Sequence, residues 1–79
     1  MVDRARQIHE NVMHLFRKER ARKKLSLAAV GKRAGLSAKT IWHVERGQCY
    51  PTIGSFLRIA HALELDPAKI LAKAQKLQS

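Results

Sequence analysis

Residues 26–47 read SLAAVGKRAGLSAKTIWHVERG, and the order of capping, small and apolar residues in this run decides the fold. Ser26 and Ser37 each stand where a side-chain oxygen can accept a backbone N–H at a helix start. Gly35 and Gly47 stand where two helices end, because the residue just past a helix terminus often takes positive φ, which glycine tolerates without a Cβ clash. Two short helices therefore follow one another, joined by Ala34, Gly35, Leu36 and Ser37. Val30, Ala34, Leu36, Ile41 and Val44 fall on the sides that must face each other. Gly31 removes a side chain where the two helices cross most closely.

Outward from this pair the helical spacing continues. Asp3 caps a first helix whose apolar positions Ile8, Val12, Leu15 and Phe16 recur at helical intervals and which runs into residues 17–24, where six of eight side chains are basic. Thr52 caps a fourth helix, with Ile53, Phe56, Leu57, Ala60 and Leu63 expected as its core-facing stripe. Asp66 and Pro67 open a fifth, expected to bury Ile70 and Leu71 and to have little left to bury from Ala72 to Ser79. Strand-like alternation appears nowhere, so the chain reads as all-α, with five helices in one domain over 1–79. The central two-helix unit occupies about 26–46, and an N-terminal helical extension occupies 3–24.

The 79 residues carry 16 Lys and Arg against 6 Asp and Glu, a formal charge of +10, while 46% are hydrophobic. That is enough apolar material to fold, and the positive excess asks for a polyanion, nucleic acid before an anionic membrane surface. No apolar run approaches the roughly 18 residues of a membrane span, and Met1, Val2, Asp3 and Arg4 carry no apolar leader, so no membrane partner and no export are expected. Cys49 stands alone, which excludes an intrachain disulfide and a cysteine-based zinc site. His9 and His14 are five apart, a poor spacing for two ligands on one helix face, and no metal is expected. The carboxylates Asp3, Glu10, Glu19, Glu45, Glu64 and Asp66 are scattered, with neither a phosphate-cradling glycine loop nor a nucleophile and base beside them. Catalysis and a cofactor are accordingly not expected.

On these residues the chain resembles the phage-repressor and Cro-like helix-turn-helix domains, also called the xenobiotic-response-element type. The likeness runs from Leu25 and Ser26 through residues 30–37, Thr40, Ile41, residues 44–47, Pro51 and Thr52, to residues 57–63, Ile70 and Leu71. It implies a compact five-helix, lambda-repressor-like DNA-binding domain. Its implied function is that of a sequence-specific transcriptional regulator binding double-stranded DNA, a repressor acting by occlusion. Its implied setting is the cytoplasm, at the nucleoid of a bacterium or on phage-encoded DNA. The third helix becomes the recognition helix, with Ser37, Ala38, Lys39, Trp42, His43 and Arg46 outward. Lys39 suits guanine O6 and N7, His43 can donate to a purine or accept, and Ala38 suits a thymine methyl group. Trp42 is left between a contact to DNA or a partner and packing on the domain. Lys32, Thr40, Gln48, Tyr50, Lys23 and Lys24 flank the motif as phosphate contacts. Gly35 and Glu45 are structural, and the resemblance gives Glu45 an arginine partner from the first helix. That partner is Arg20 on a gapless match, or Arg17 if a turn of basic residues is inserted before Leu25.

Two positions depart from the family pattern. Leu27 replaces the usual Gln that meets a phosphate, and Glu64 stands where Gly usually ends the fourth helix, so a different ending is expected there. The resemblance also implies a homodimer whose half-sites lie about one helical turn (~34 Å) apart. Its surface would come from the residues before Val12, the tail after Leu71, or both. Two rival functions fit the same composition: an antitoxin-like module that neutralises a partner toxin, and a nucleic-acid binder without sequence preference driven by the basic run.

Overall fold

Five side-chain caps set where the helices begin. Asp3, Ser26, Ser37, Thr52 and Asp66 accept the backbone N–H of Arg6, Ala29, Thr40, Ser55 and Ala68 respectively. The computed structural model describes residues 3–77, in the order α1 (Arg4–Arg22), α2 (Leu27–Ala34), α3 (Ala38–Glu45), α4 (Ile53–Ala62) and α5 (Pro67–Lys76). No strand occurs among the described residues. Met1, Val2, Gln78 and Ser79, the ends of the stretches read from sequence, lie outside them.

The α2–α3 pair forms as its spacing requires. Gly35 takes φ 72°, and its N–H and that of Leu36 return to the carbonyls of Lys32 and Gly31. At Gly31 a Cβ would stand 2.5 Å from the Leu36 carbonyl oxygen, so the turn closes over α2 only because no side chain is there. Val30, Ile41 and Val44 are almost wholly buried, together with Phe16 of α1 and Ile59 and Leu63 around α4. These residues belong to one core, within which the rings of Phe16 and Phe56 lie 5.6 Å apart.

The structure changes several expectations. Ile53 and Leu57 are 76% and 46% exposed, and the buried side of α4 is Phe56, Ile59, Ala60 and Leu63. Both sets have helical spacing; the one chosen is that which faces α2 and α5 once the Thr52 cap leaves the first turn of α4 in solvent. In α5, Ile70 is buried but Leu71 is exposed, and fully buried Ala74 takes the second position. A methyl-sized side chain lets α5 close on α1, where Asn11 donates to the Ala74 carbonyl at 2.9 Å. In α1 the buried set is Val12, Met13, Leu15 and Phe16, with Ile8 only half-buried.

The fourth helix does end as glycine would end it. Glu64 adopts φ 59°, and the Leu65 N–H reaches the Ala60 carbonyl at 2.8 Å. A side chain in this conformation costs roughly 1–2 kcal/mol. Lys23 offsets part of that cost, since its ammonium donates to the Leu63 carbonyl and lies 3.6 Å from the Glu64 carboxylate.

Candidate nucleic-acid interface

Along α3, residues at positions 38, 39, 42, 43 and 46 return to one side of the helix, opposite buried Ile41 and Val44. Lys39 and Arg46 are exposed, whereas Ala38, Trp42 and His43 are half-buried. This face is held by contacts within itself. The Arg46 guanidinium lies over the Trp42 ring, 4.2 Å from its centroid, a cation–π contact, and the His43 and Trp42 rings meet in a T-shaped contact with centroids 5.0 Å apart. His43 Nδ1 is 2.6 Å from Gln48 Oε1. At the N-terminal end, Ser37 accepts the Thr40 N–H, and the two hydroxyl groups lie 2.8 Å apart. Trp42 thus packs on its own helix with Arg46 above it.

What fixes α3 from behind is Glu45. Its side chain is only 3% exposed and receives two hydrogen bonds from Arg20, from Nε at 2.6 Å and from Nη2 at 3.0 Å. Arg20 also donates from Nη1 to the Leu25 carbonyl at 2.9 Å. The partner left open between Arg17 and Arg20 is therefore Arg20, and α1 meets α3 without an inserted turn. The hydrogen bonds it donates to the Glu45 carboxylate raise the pKa of the Arg20 guanidinium above its ordinary value. A fork-to-fork pair of this geometry sets both the height and the rotation of α3 against α1.

The basic run separates into two sets. Arg22 bonds Glu19, whose carboxyl is held down to about 2 first by Arg22 and then by Lys23. Lys23 is occupied at the end of α4, so this expected phosphate contact has a structural task. Arg20 is taken by Glu45. Arg17, Lys18 and Lys24 remain exposed on α1 and its end, as does Lys32 on α2. Three of the six basic residues in 17–24 are therefore engaged within the protein, and of these Arg20 and Lys23 tie α1 to other parts of the fold.

Tyr50, another expected phosphate contact, stacks on His9 of α1 with ring centroids 4.0 Å apart. With Ile8, Pro51, Ile53 and Leu71 these two rings line an open apolar groove of about 430 Å³. Burial pushes the pKa of the His9 imidazole below its ordinary value, and its Nε2 is buried with no hydrogen-bond partner among the described residues. Among the described residues no group of three or more His, Cys, Asp or Glu gathers to hold a metal. No described helix is long and apolar enough to cross a membrane.

Sequence reasoning overlooked three pairings at this surface. The Trp42–Arg46 stack was readable, because residues four apart on a helix meet. The contacts of His43 with Gln48 and of His9 with Tyr50 cross a glycine turn and a helix boundary, where spacing carries no such rule.

A family model described as a helix-turn-helix domain matches residues 14–72, which takes in all of α2, α3 and α4, α1 from His14 onward and the start of α5. The chain belongs to the helix-turn-helix family. The helix-turn-helix itself is the α2–α3 pair. The fold is also that of the clp gene regulator ClgR from C. glutamicum, with a TM-score of 0.80 over 91% of this chain and 94% of that one, at 22% identity. No curated protein matches the sequence.

Proposed function

We propose that this helix-turn-helix chain is a sequence-specific regulator of transcription, a single domain that binds double-stranded DNA as a homodimer and represses by occupying its site. The observation that carries the reading is the outward face of α3, held in one orientation by the Arg20–Glu45 pair behind it. Lys39 donates to guanine O6 and N7, Ala38 meets a thymine methyl group, and His43 reads a neighbouring base edge. Ser37, Trp42 and Arg46 frame these contacts. Lys24, Lys32 and Thr40 meet phosphates, and the exposed N-terminus of α2 offers backbone N–H groups where Leu27 brings no side-chain donor.

The second copy seats on the apolar groove. Of the residues that line it, Ile53 of α4, Leu71 of α5 and Tyr50 are large, hydrophobic and exposed on a chain of net charge +10. Tyr50 and Pro51, which also line the groove, belong to the segment that leaves α3. Such a regulator works in the cytoplasm, on the DNA of a bacterium or phage.

Selection from random duplexes with the intact chain tests the reading. A two-fold symmetric motif is expected, with half-sites about one helical turn (~34 Å) apart. A pool in which nothing is enriched overturns it.

A further inference from the structure

Gln48 lies outside the recognition helix, beyond Gly47, yet it holds His43 of α3 at two points. Its backbone N–H donates to the His43 carbonyl at 3.1 Å, and its side-chain Oε1 lies 2.6 Å from His43 Nδ1. Gly47 makes this return by taking φ 69°. An amide oxygen only accepts, so the proton between the two groups sits on Nδ1. A neutral imidazole carries one N–H and one lone pair, and the lone pair is then left on Nε2. The T-shaped contact with Trp42, at an interplanar angle of 84°, holds the ring plane.

The bases differ in what they offer such an acceptor. In the major groove adenine N6 and cytosine N4 donate, while guanine N7 and O6 and thymine O4 only accept. Lys39 and Arg46, the cationic side chains of the outward face, are donors only and read the opposite set. We propose that Gln48 is a specificity-determining positioning residue: it fixes His43 as a hydrogen-bond acceptor, so that His43 selects adenine or cytosine at its position in the site. The proposal rests on the DNA-binding reading above and adds to it which base class one residue chooses, and why.

Two measurements on the intact chain test it. Nitrogen-15 NMR of the His43 ring near pH 8, where an ordinary imidazole is neutral, is expected to find the proton on Nδ1 in the wild type. Gln48→Ala is expected to release it to a mixture of both tautomers. Selection from random duplexes is expected to enrich adenine or cytosine at the position whose preference His43→Ala abolishes. Gln48→Ala should weaken that preference about tenfold while leaving the rest of the motif in place. A wild-type ring protonated on Nε2, guanine or thymine at the His43 position, or a Gln48→Ala motif identical to that of the wild type would each overturn the proposal. If the wild type enriches no motif while its ring carries the Nδ1 proton, the sequence-specific reading fails and takes the base preference with it, though the Gln48 clamp on the tautomer stands.

Discussion

The outward face of α3 and the groove between α1, α4 and α5 lie on the same small domain and are built on opposite plans. On α3 the polar side chains mostly have a partner within the protein: Ser37 has Thr40, Arg46 has Trp42, His43 has Gln48, and Glu45 has Arg20. In the groove large apolar side chains are left without one, and Ile53 is three-quarters exposed. Contacts that tie polar groups in place cost little when DNA replaces water around them, and they present a surface of defined shape. Uncovered apolar surface has no such use in an isolated chain and is expected to be covered by another protein. On the function proposed above, the difference separates a surface for reading from one for assembly, and substitutions on each side should behave differently.

The largest effect on stability is expected on the reading side. Glu45→Ala leaves the Arg20 guanidinium without its carboxylate and should cost about 3–5 kcal/mol in chemical denaturation. Next comes Gly31→Ala. The added methyl gains up to about 1 kcal/mol in helix propensity, but it meets the Leu36 backbone at 2.5 Å and forces the turn away. A net loss of about 2 kcal/mol is expected, together with a weaker preference among DNA sequences. Glu64→Gly should act in the opposite direction, because it releases the left-handed strain at the end of α4 and gives up only an exposed ion pair. A gain of about 1 kcal/mol is expected, seen as a rise of roughly 4–8 °C in Tm. The smallest change in folding should come from the groove. Ile53→Ser is expected to alter the stability of the monomer by under ~0.5 kcal/mol while converting a sedimenting dimer into monomers. A wild-type chain that sediments as a monomer would assign the groove to a different protein partner, as an antitoxin-like role requires.

How far the sequence reveals this arrangement depends on the kind of residue involved. The α2–α3 unit is fully legible, since a cap, a close crossing and a left-handed turn each demand a residue type at a fixed spacing, and Ser26, Gly31, Gly35 and Ser37 meet those demands. The facing of α4 is less so. Ile53 and Leu57 share a helical period with Phe56 and Ala60, and periodicity alone does not say which edge of the stripe the neighbouring helices cover. Ala74 is invisible for a related reason: a methyl group adds little to a hydrophobic pattern even where its smallness allows two helices to close. Lys23 and Arg20 show the limit of charge counting, because a basic residue that bonds a carbonyl or a buried carboxylate looks the same in sequence as one facing solvent. The resemblance supplied an arginine for Glu45, but only the path of α1 decides that Arg20 reaches it.

The central claim is that α3 chooses the site while the surrounding charge sets the strength of binding. It is tested most directly by comparing Lys39→Ala with Lys24→Ala in random-duplex selection and salt titration beside the wild type. The account predicts that Lys39→Ala changes the preferred base at one position of each half-site and keeps the spacing. Lys24→Ala should keep the motif, weaken all duplexes alike and lower the slope of log affinity against log salt by about 0.9 for each chain bound. A Lys39→Ala motif identical to that of the wild type would contradict the account and leave a nucleic-acid binder driven by charge alone.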